Sequence, residues 1–296
     1  MRALVIGASG QVGAALVRAL ARRGHQATGT YAQHSTVDLI PLDITDRAAV
    51  ERTISAARAD WVFCPAGLTH VDYCEEHPAA AMAVNRDGPL EAARAAECVD
   101  AGFVYYSTEY VFDGASGPYR EDDPARPLSK YGLSKWEGEQ ALLAEIPRAL
   151  VVRTTVVYGP DRQEKNFVYQ LIRNCRRGQA MRIPSDQVSS PTYNEDLATA
   201  SVELCERGLT GTYHLAGDGV LDRFTLAQLA CRIFDLDPSR LQPVATAALA
   251  QKAPRPLNGG LLIAKAQSVL ATPLRGPEAG LREMLRSLSP PGRGPG

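Results

Sequence analysis

Tyr131 and Lys135 stand four residues apart in Tyr131-Gly-Leu-Ser-Lys135, within a stretch whose pattern predicts a helix. Positions i and i+4 share a helical face, so the phenol and the ammonium point into the same space. A nearby cation favours the phenolate and lowers a tyrosine pKa toward working pH, making the phenol usable as a general acid or base. Upstream, Tyr106-Ser-Thr-Glu-Tyr-Val-Phe-Asp-Gly114 brings two hydroxyls, Ser107 and Thr108, to the end of a predicted strand. Ligands of open α/β sheets bind outside the carboxyl ends of strands, where a hydroxyl can polarise a substrate carbonyl. Position supports the pair and does not choose between its members.

Gly7-Ala-Ser-Gly10-Gln-Val-Gly13 falls between a first apolar strand and a first helix. Glycines there allow a tight turn, close approach of a pyrophosphate to the backbone, and close packing of helix on strand. The helix N-terminus adds unpaired N–H groups and a partial positive charge. Gly7, Ser9, Gly10, Gln11, Val12 and Gly13 are therefore candidate dinucleotide contacts. An NAD-selective site places an acid after the second strand to hold the ribose 2′-hydroxyl. Thr28-Gly-Thr-Tyr-Ala-Gln-His34 has none, which removes repulsion against a 2′-phosphate and makes NADP(H) the expected cofactor; the stretch has no arginine either, which keeps NAD as the alternative.

These groups need a scaffold, and the first half of the chain alternates short apolar runs with helical patterns, the form of a doubly wound α/β Rossmann-type parallel sheet. Strands are predicted at 3–6, 26–31, 39–42, 61–64, 102–106 and 149–154. Val12, Leu16 and Leu20 mark the first helix, ended by Gly24. Thr45-Asp46 caps a helix running to Arg58. Pro78 opens a longer one through Cys98, interrupted near Gly88-Pro89. After Tyr158-Gly-Pro160 the rhythm changes to helices near 166–176, 195–205, 225–234 and 277–288, separated by proline-bearing segments. The expected organisation is a dinucleotide-binding domain over 1–160, a smaller substrate lobe over 161–288, and a disordered tail over 289–296. Segments near 190–216 are expected to return to the first domain, with 211–216 as a further strand of its sheet.

Of 296 residues, 45% are hydrophobic and 22% charged, and the net charge is -1. This is the balance of a soluble globular protein, without the basic excess of a nucleic-acid binder or a long apolar span. The opening strand does not read as a signal peptide, so a cytoplasmic location is expected. Six cysteines without CxxC spacing argue against a disulfide framework. His70, Cys74 and His77 could share a helical face, but they lack a tight fourth ligand, and no metal is expected.

The ordered series GASGQVG, YSTEYVFDG, PYREDDPARPLSKYGLSKWEGE, VYG, DQVSSPTYNEDLA and GTYHLAG resembles extended short-chain dehydrogenase/reductases, and within them the dTDP-4-dehydrorhamnose reductase family. The likeness runs from about residue 1 to 288. It implies NADPH-dependent reduction of a keto group on a nucleotide-activated deoxysugar. Thr108, Tyr131 and Lys135 fall on the family's catalytic positions. Asp43 and Ile44 match a segment contacting adenine, and Ala66, Gly67 and Asn85 match positions lining the cofactor. Val156 stands where the family often carries a tryptophan near the sugar, Cys64-Pro65-Ala66-Gly67 replaces Asn-Ala-Ala-Ala, and Glu109 replaces Asp. The sugar-facing wall thus departs from the family pattern. For the substrate diphosphate the candidates are Lys165, Asn166, Arg182 and Arg255, with Arg255 first because its guanidinium grips phosphate bidentately. The implied partner is a sugar nucleotide, with no nucleic acid or membrane, and a homodimer is the candidate assembly. The same lineage contains an NADP-binding regulatory subunit, the β subunit of methionine adenosyltransferase, which gives the alternative: a non-catalytic regulator.

Overall fold

Strand β1 (Arg2–Val5) buries its last three residues, as a strand covered on both faces must. The computed structural model describes residues 1–288. With β1, strands β2 (Gln26–Tyr31), β3 (Leu39–Pro41), β4 (Trp61–Cys64), β5 (Gly102–Thr108), β6 (Ala149–Thr154) and β7 (Gly211–His214) form a seven-stranded sheet in the order β7-β6-β5-β4-β1-β2-β3. Every pairing is parallel. The strand 211–214 does return to this sheet, beside β6. β5 runs two residues further than expected, through Ser107 and Thr108, because both continue the β6 register opposite Arg153 and Thr154.

Helix α1 (Gln11–Arg22) packs on one sheet face, burying Leu16, Ala19 and Leu20. The other face is covered by helices α2 (Arg47–Ala57), α5 (Gly88–Glu97) and α6 (Lys130–Glu145). Asp46 caps α2, accepting from Ala49 N–H at 3.0 Å. The region predicted as one helix from Pro78 begins after a short helix α3 (Val71–Glu76), which sequence reading missed. It comprises α4 (Pro78–Met82), a π-helical turn at Ala83–Asp87, and α5. The irregular turn thus precedes Gly88-Pro89, and Gly88 lets α5 approach the Ile44 carbonyl.

Beyond Tyr158 a second lobe forms around α7 (Phe167–Arg176), α9 (Arg223–Ile233) and α10 (Pro277–Leu288), with its own core of Leu171, Ile183, Leu226, Ala230, Leu281 and Met284. Strands 181–184 and 241–244 pair parallel there. Helix α8 (Asn194–Glu206) lies between α7 and α9 in sequence but packs on α1 of the main sheet. Among the described residues no helix is long and apolar enough to cross a membrane. The expected tail, 289–296, lies outside the described residues.

Candidate active site

The reactive face of α6 follows from its spacing: Tyr131, Lys135, Glu139 and Leu142 recur every three or four residues, and all are buried. Ser129 caps the helix, accepting from Gly132 N–H at 3.2 Å. Two turns on, the Arg153 guanidinium of β6 donates to the fully buried Glu139 carboxylate at 2.7, 3.0 and 3.1 Å. That pair fixes α6 against the sheet edge where β5 ends.

Lys135 Nζ donates to the Tyr106 carbonyl at 3.0 Å and lies 4.7 Å from the centre of the Tyr105 ring. Burial pulls the ammonium down to about 8, against the opposing pull of Cys64 and Glu139. A Cβ on Gly67 would come 3.0 Å from Lys135 Nζ and 3.2 Å from Asn85 Oδ1, so these three positions meet. Asn85, in the π-helical turn, is held by Leu68 N–H, the Leu68 carbonyl and the Ser134 hydroxyl at 2.8–3.0 Å. One-turn π-helices of this kind are frequent at functional sites.

Thr108 Oγ1 donates to Glu109 Oε2 at 2.7 Å and accepts from Tyr110 N–H at 3.2 Å. Ser107 Oγ is buried without a hydrogen-bond partner among the described residues. Burial pushes the Tyr131 phenol well above its usual range, the Glu109 carboxylate adds to the rise, and the Thr108 hydroxyl acts against it. The expected lowering by Lys135 is therefore corrected. The ammonium is turned to the Tyr106 carbonyl, and Glu109 is the strongest charge acting on the phenol.

The glycine loop sits where β1 gives way to α1. Gly7 adopts φ +94°, and a Cβ there would lie 3.0 Å from Ala66 N; a Cβ on Gly13 would collide with the Gly7 carbonyl. Ala66 N–H donates to the Ile6 carbonyl at 3.0 Å, bringing the β4 loop beside this turn. The α1 N-cap, Gly10, has no side-chain cap, and no acid occupies the first turn. Gln11 Nε2 is buried without a partner among the described residues. A turn closed to a Cβ at Gly7 and Gly13, an uncapped helix start and an orphaned amide fit a dinucleotide pyrophosphate. Asp43 is exposed and accepts from Thr45 N–H and Oγ1 at 2.9 and 2.8 Å, while Ile44 is buried beside it. Ser9 lies on this turn and Val12 in the first turn of α1, and Gln163 Nε2 donates to the Ser9 carbonyl at 3.1 Å.

The substrate candidates separate. Arg255 Nη1 donates to Asp72 Oδ1 and the Ala253 carbonyl at 2.9 and 2.7 Å; its charge still reaches Tyr110, which packs edge-on against Tyr131 at 5.4 Å. Asn166 is the N-cap of α7: its amide donates to the Gly159 carbonyl and accepts from Tyr169 N–H. Both ends of that side chain are occupied structurally, so Asn166 is corrected to a scaffold residue. Arg182 is exposed and donates to the Ala248 carbonyl, with no contact to the groups above. Val156 has φ +40°, strained for a β-branched residue, and packs at the margin of the second lobe's core. Sequence reading missed Arg223, at the start of α9. Its guanidinium lies over the Phe167 ring at 5.1 Å, faces Glu109, Tyr110 and Arg255, and has no carboxylate partner among the described residues. No motif surrounds it, so only the fold could bring it here. His70, Cys74 and His77 have other roles: His70 caps α3, Cys74 Sγ meets the Leu68 carbonyl, and His77 stacks on Tyr73.

A parallel doubly wound sheet, a glycine turn at its switch point and a buried Thr–Tyr–Lys set at the end of β5 define an extended short-chain dehydrogenase/reductase. The RmlD substrate binding domain family matches residues 1–289. A dTDP-4-dehydrorhamnose reductase of Streptomyces griseus is 37% identical over 294 residues, 97% of this chain and 94% of that protein. A probable dTDP-4,6-dihydroxy-2-methyloxan-3-one 4-ketoreductase of Streptomyces antibioticus is 36% identical over 96% of this chain and 94% of its own length. The crystal structure of the Bacillus anthracis dTDP-4-dehydrorhamnose reductase in complex with NADP superposes with a TM-score of 0.89 at 28% identity, covering 97% of this chain and 99% of that one. The chain belongs to the dTDP-4-dehydrorhamnose reductase family.

Proposed function

We propose that this chain reduces the keto group of a dTDP-linked 6-deoxysugar, with NADPH as reductant and NAD(H) as the weaker alternative. The observation that carries this reading is the buried set of Thr108, Tyr131 and Lys135 at the end of β5, together with a glycine turn closed to a Cβ at Gly7 and Gly13. A bound nicotinamide dinucleotide supplies the hydride. Tyr131 holds its proton because burial and Glu109 keep the phenol from ionising, and it releases that proton to the substrate oxygen as negative charge develops there. An ordinary alkoxide is a stronger base than an ordinary phenolate, so the oxygen on which charge develops is a fitting acceptor for that proton. Lys135, whose ammonium meets the Gly67 and Asn85 positions, would hold the ribose of the bound dinucleotide. Thr108 aligns the carbonyl, with Ser107 one position away.

Arg223 and Arg255 supply positive charge on the second-lobe side of Tyr110, suited to a sugar nucleotide's phosphates. Val156 in place of a bulky aromatic leaves the sugar wall open, so the sugar need not be dehydrorhamnose. The regulatory alternative predicts dinucleotide binding without turnover. The test is NADPH oxidation by the purified chain across a panel of dTDP- and UDP-linked 4-keto sugars. Turnover with a dTDP-linked member is expected. Silence across the panel, with NADPH bound, contradicts the catalytic reading and favours the regulator. Light scattering of the same preparation reads whether it is a homodimer.

A further inference from the structure

The loop after Gly159 crosses from the second lobe onto the dinucleotide half. Asp161 organises it: its carboxylate accepts from Gln163 N–H and Lys165 N–H, both at 3.0 Å. Held this way, Gln163 Nε2 reaches the Ser9 carbonyl at 3.1 Å, and Lys165 Nζ reaches His34 Nε2 at 3.3 Å. Ser9 belongs to the glycine turn, and His34 lies three residues beyond the end of β2. In a dinucleotide-binding sheet the adenosine ribose lies between those two places, with its 2′ position facing the residues after β2. The loop therefore spans the ribose from the second lobe.

Lys165 makes no ion pair with a carboxylate among the described residues; its ammonium meets only the imidazole. His34 also lacks an acidic partner there. Two cation-capable groups side by side, exposed and without a counter-charge, favour an incoming anion. Residues 32–37, directly after β2, hold neither the acid of an NAD site nor the arginine of a usual NADP site.

We propose that Lys165 and His34 form the site for the 2′-phosphate of NADP, so that a lysine from the second lobe sets the cofactor preference. This rests on the glycine loop being the dinucleotide site, as argued above. Lys165 and a ring N–H of His34 each donate to a phosphate oxygen, so the present contact between them gives way to two hydrogen bonds to the anion.

The test is equilibrium titration of NADP⁺, NAD⁺, 2′,5′-ADP and dTDP into the full chain, its Lys165→Ala variant and its His34→Ala variant. Wild type is expected to prefer NADP⁺. Lys165→Ala should weaken NADP⁺ and 2′,5′-ADP by about 5- to 30-fold, the range for losing one charge-assisted hydrogen bond, and leave NAD⁺ and dTDP nearly unchanged. His34→Ala should show the same pattern, reduced in size. The NADP⁺ advantage should shrink with added KCl in wild type and stay flat in Lys165→Ala. Equal losses for NADP⁺ and NAD⁺, or no loss, overturn the inference while leaving the cofactor site standing. A loss for dTDP in place of 2′,5′-ADP puts Lys165 on the substrate diphosphate and overturns it too. A wild type that binds neither dinucleotide overturns the cofactor reading itself, and this inference with it.

Discussion

The Thr108 hydroxyl donates its proton to the Glu109 carboxylate at 2.7 Å, with both residues buried at the end of β5. The hydroxyl proposed to meet a substrate carbonyl is thus oriented by an acid that burial itself disfavours. Burial pushes the Glu109 carboxyl up, and the Thr108 bond only partly opposes it. A carboxyl raised in the fold stabilises the protein at low pH and loses that contribution as pH rises through its folded pKa. Glu109→Gln should therefore raise Tm at neutral pH, with the gain shrinking as pH falls into the carboxylate range. It should also raise kcat/KM, because an amide that donates to Thr108 Oγ1 frees the hydroxyl proton for the substrate carbonyl and removes the charge that holds the Tyr131 phenol up. Thermal unfolding across pH, set beside steady-state kinetics, checks both halves.

Lys135 titrates where assays are run. Burial lowers its ammonium from the usual lysine value to about 8, so it is protonated below that pH and loses its charge as pH rises through it. The Tyr131 phenol remains protonated over the same range. The reductive kcat/KM should fall above pH about 8 with a slope of one proton, and Lys135→Met should be slow and lack that limb. A flat profile through pH 9.5 in the wild type would show that the ammonium is not needed as a cation.

Arg223 and Arg255 approach Tyr110 together and differ in what holds them. Arg255 is tied to Asp72, whereas Arg223 has only the Phe167 ring and the charges around it. Arg223→Ala should raise the sugar-nucleotide KM about tenfold, the cost of one charge-assisted contact, with NADPH affinity nearly unchanged. Arg255→Ala should raise KM and also lower Tm, since it leaves a half-buried Asp72 without its partner. Kinetics and melting of the two variants side by side separate binding from support.

The sheet and its glycine turn were legible because they rest on local signals: apolar runs, a tight turn and the spacing of α1. The Tyr131–Lys135 face was equally legible, since four residues on a helix fix direction. What escaped was whatever depends on long-range placement. Arg223 sits in an ordinary amphipathic helix and enters the site only because 188–189 pairs with 221–222, setting the start of α9. Asn166 looked available in sequence, but a residue before an apolar helix is also a natural cap, and capping prevailed. The direction of the Tyr131 shift was misjudged because spacing shows a neighbouring cation and cannot show the depth of burial or the Glu109 carboxylate behind it.

The central claim is that Tyr131 gives the proton in a reduction of a dTDP-linked keto sugar, and one measurement meets it most directly. Single-turnover oxidation of NADPH by wild type and Tyr131→Phe, with a dTDP-4-keto-6-deoxysugar that the wild type turns over, isolates the chemical step. Loss of the phenol should slow that step by about 10²- to 10⁴-fold, the contribution of one general acid, with NADPH affinity retained. A Tyr131→Phe enzyme that oxidises NADPH at the wild-type rate would contradict the account.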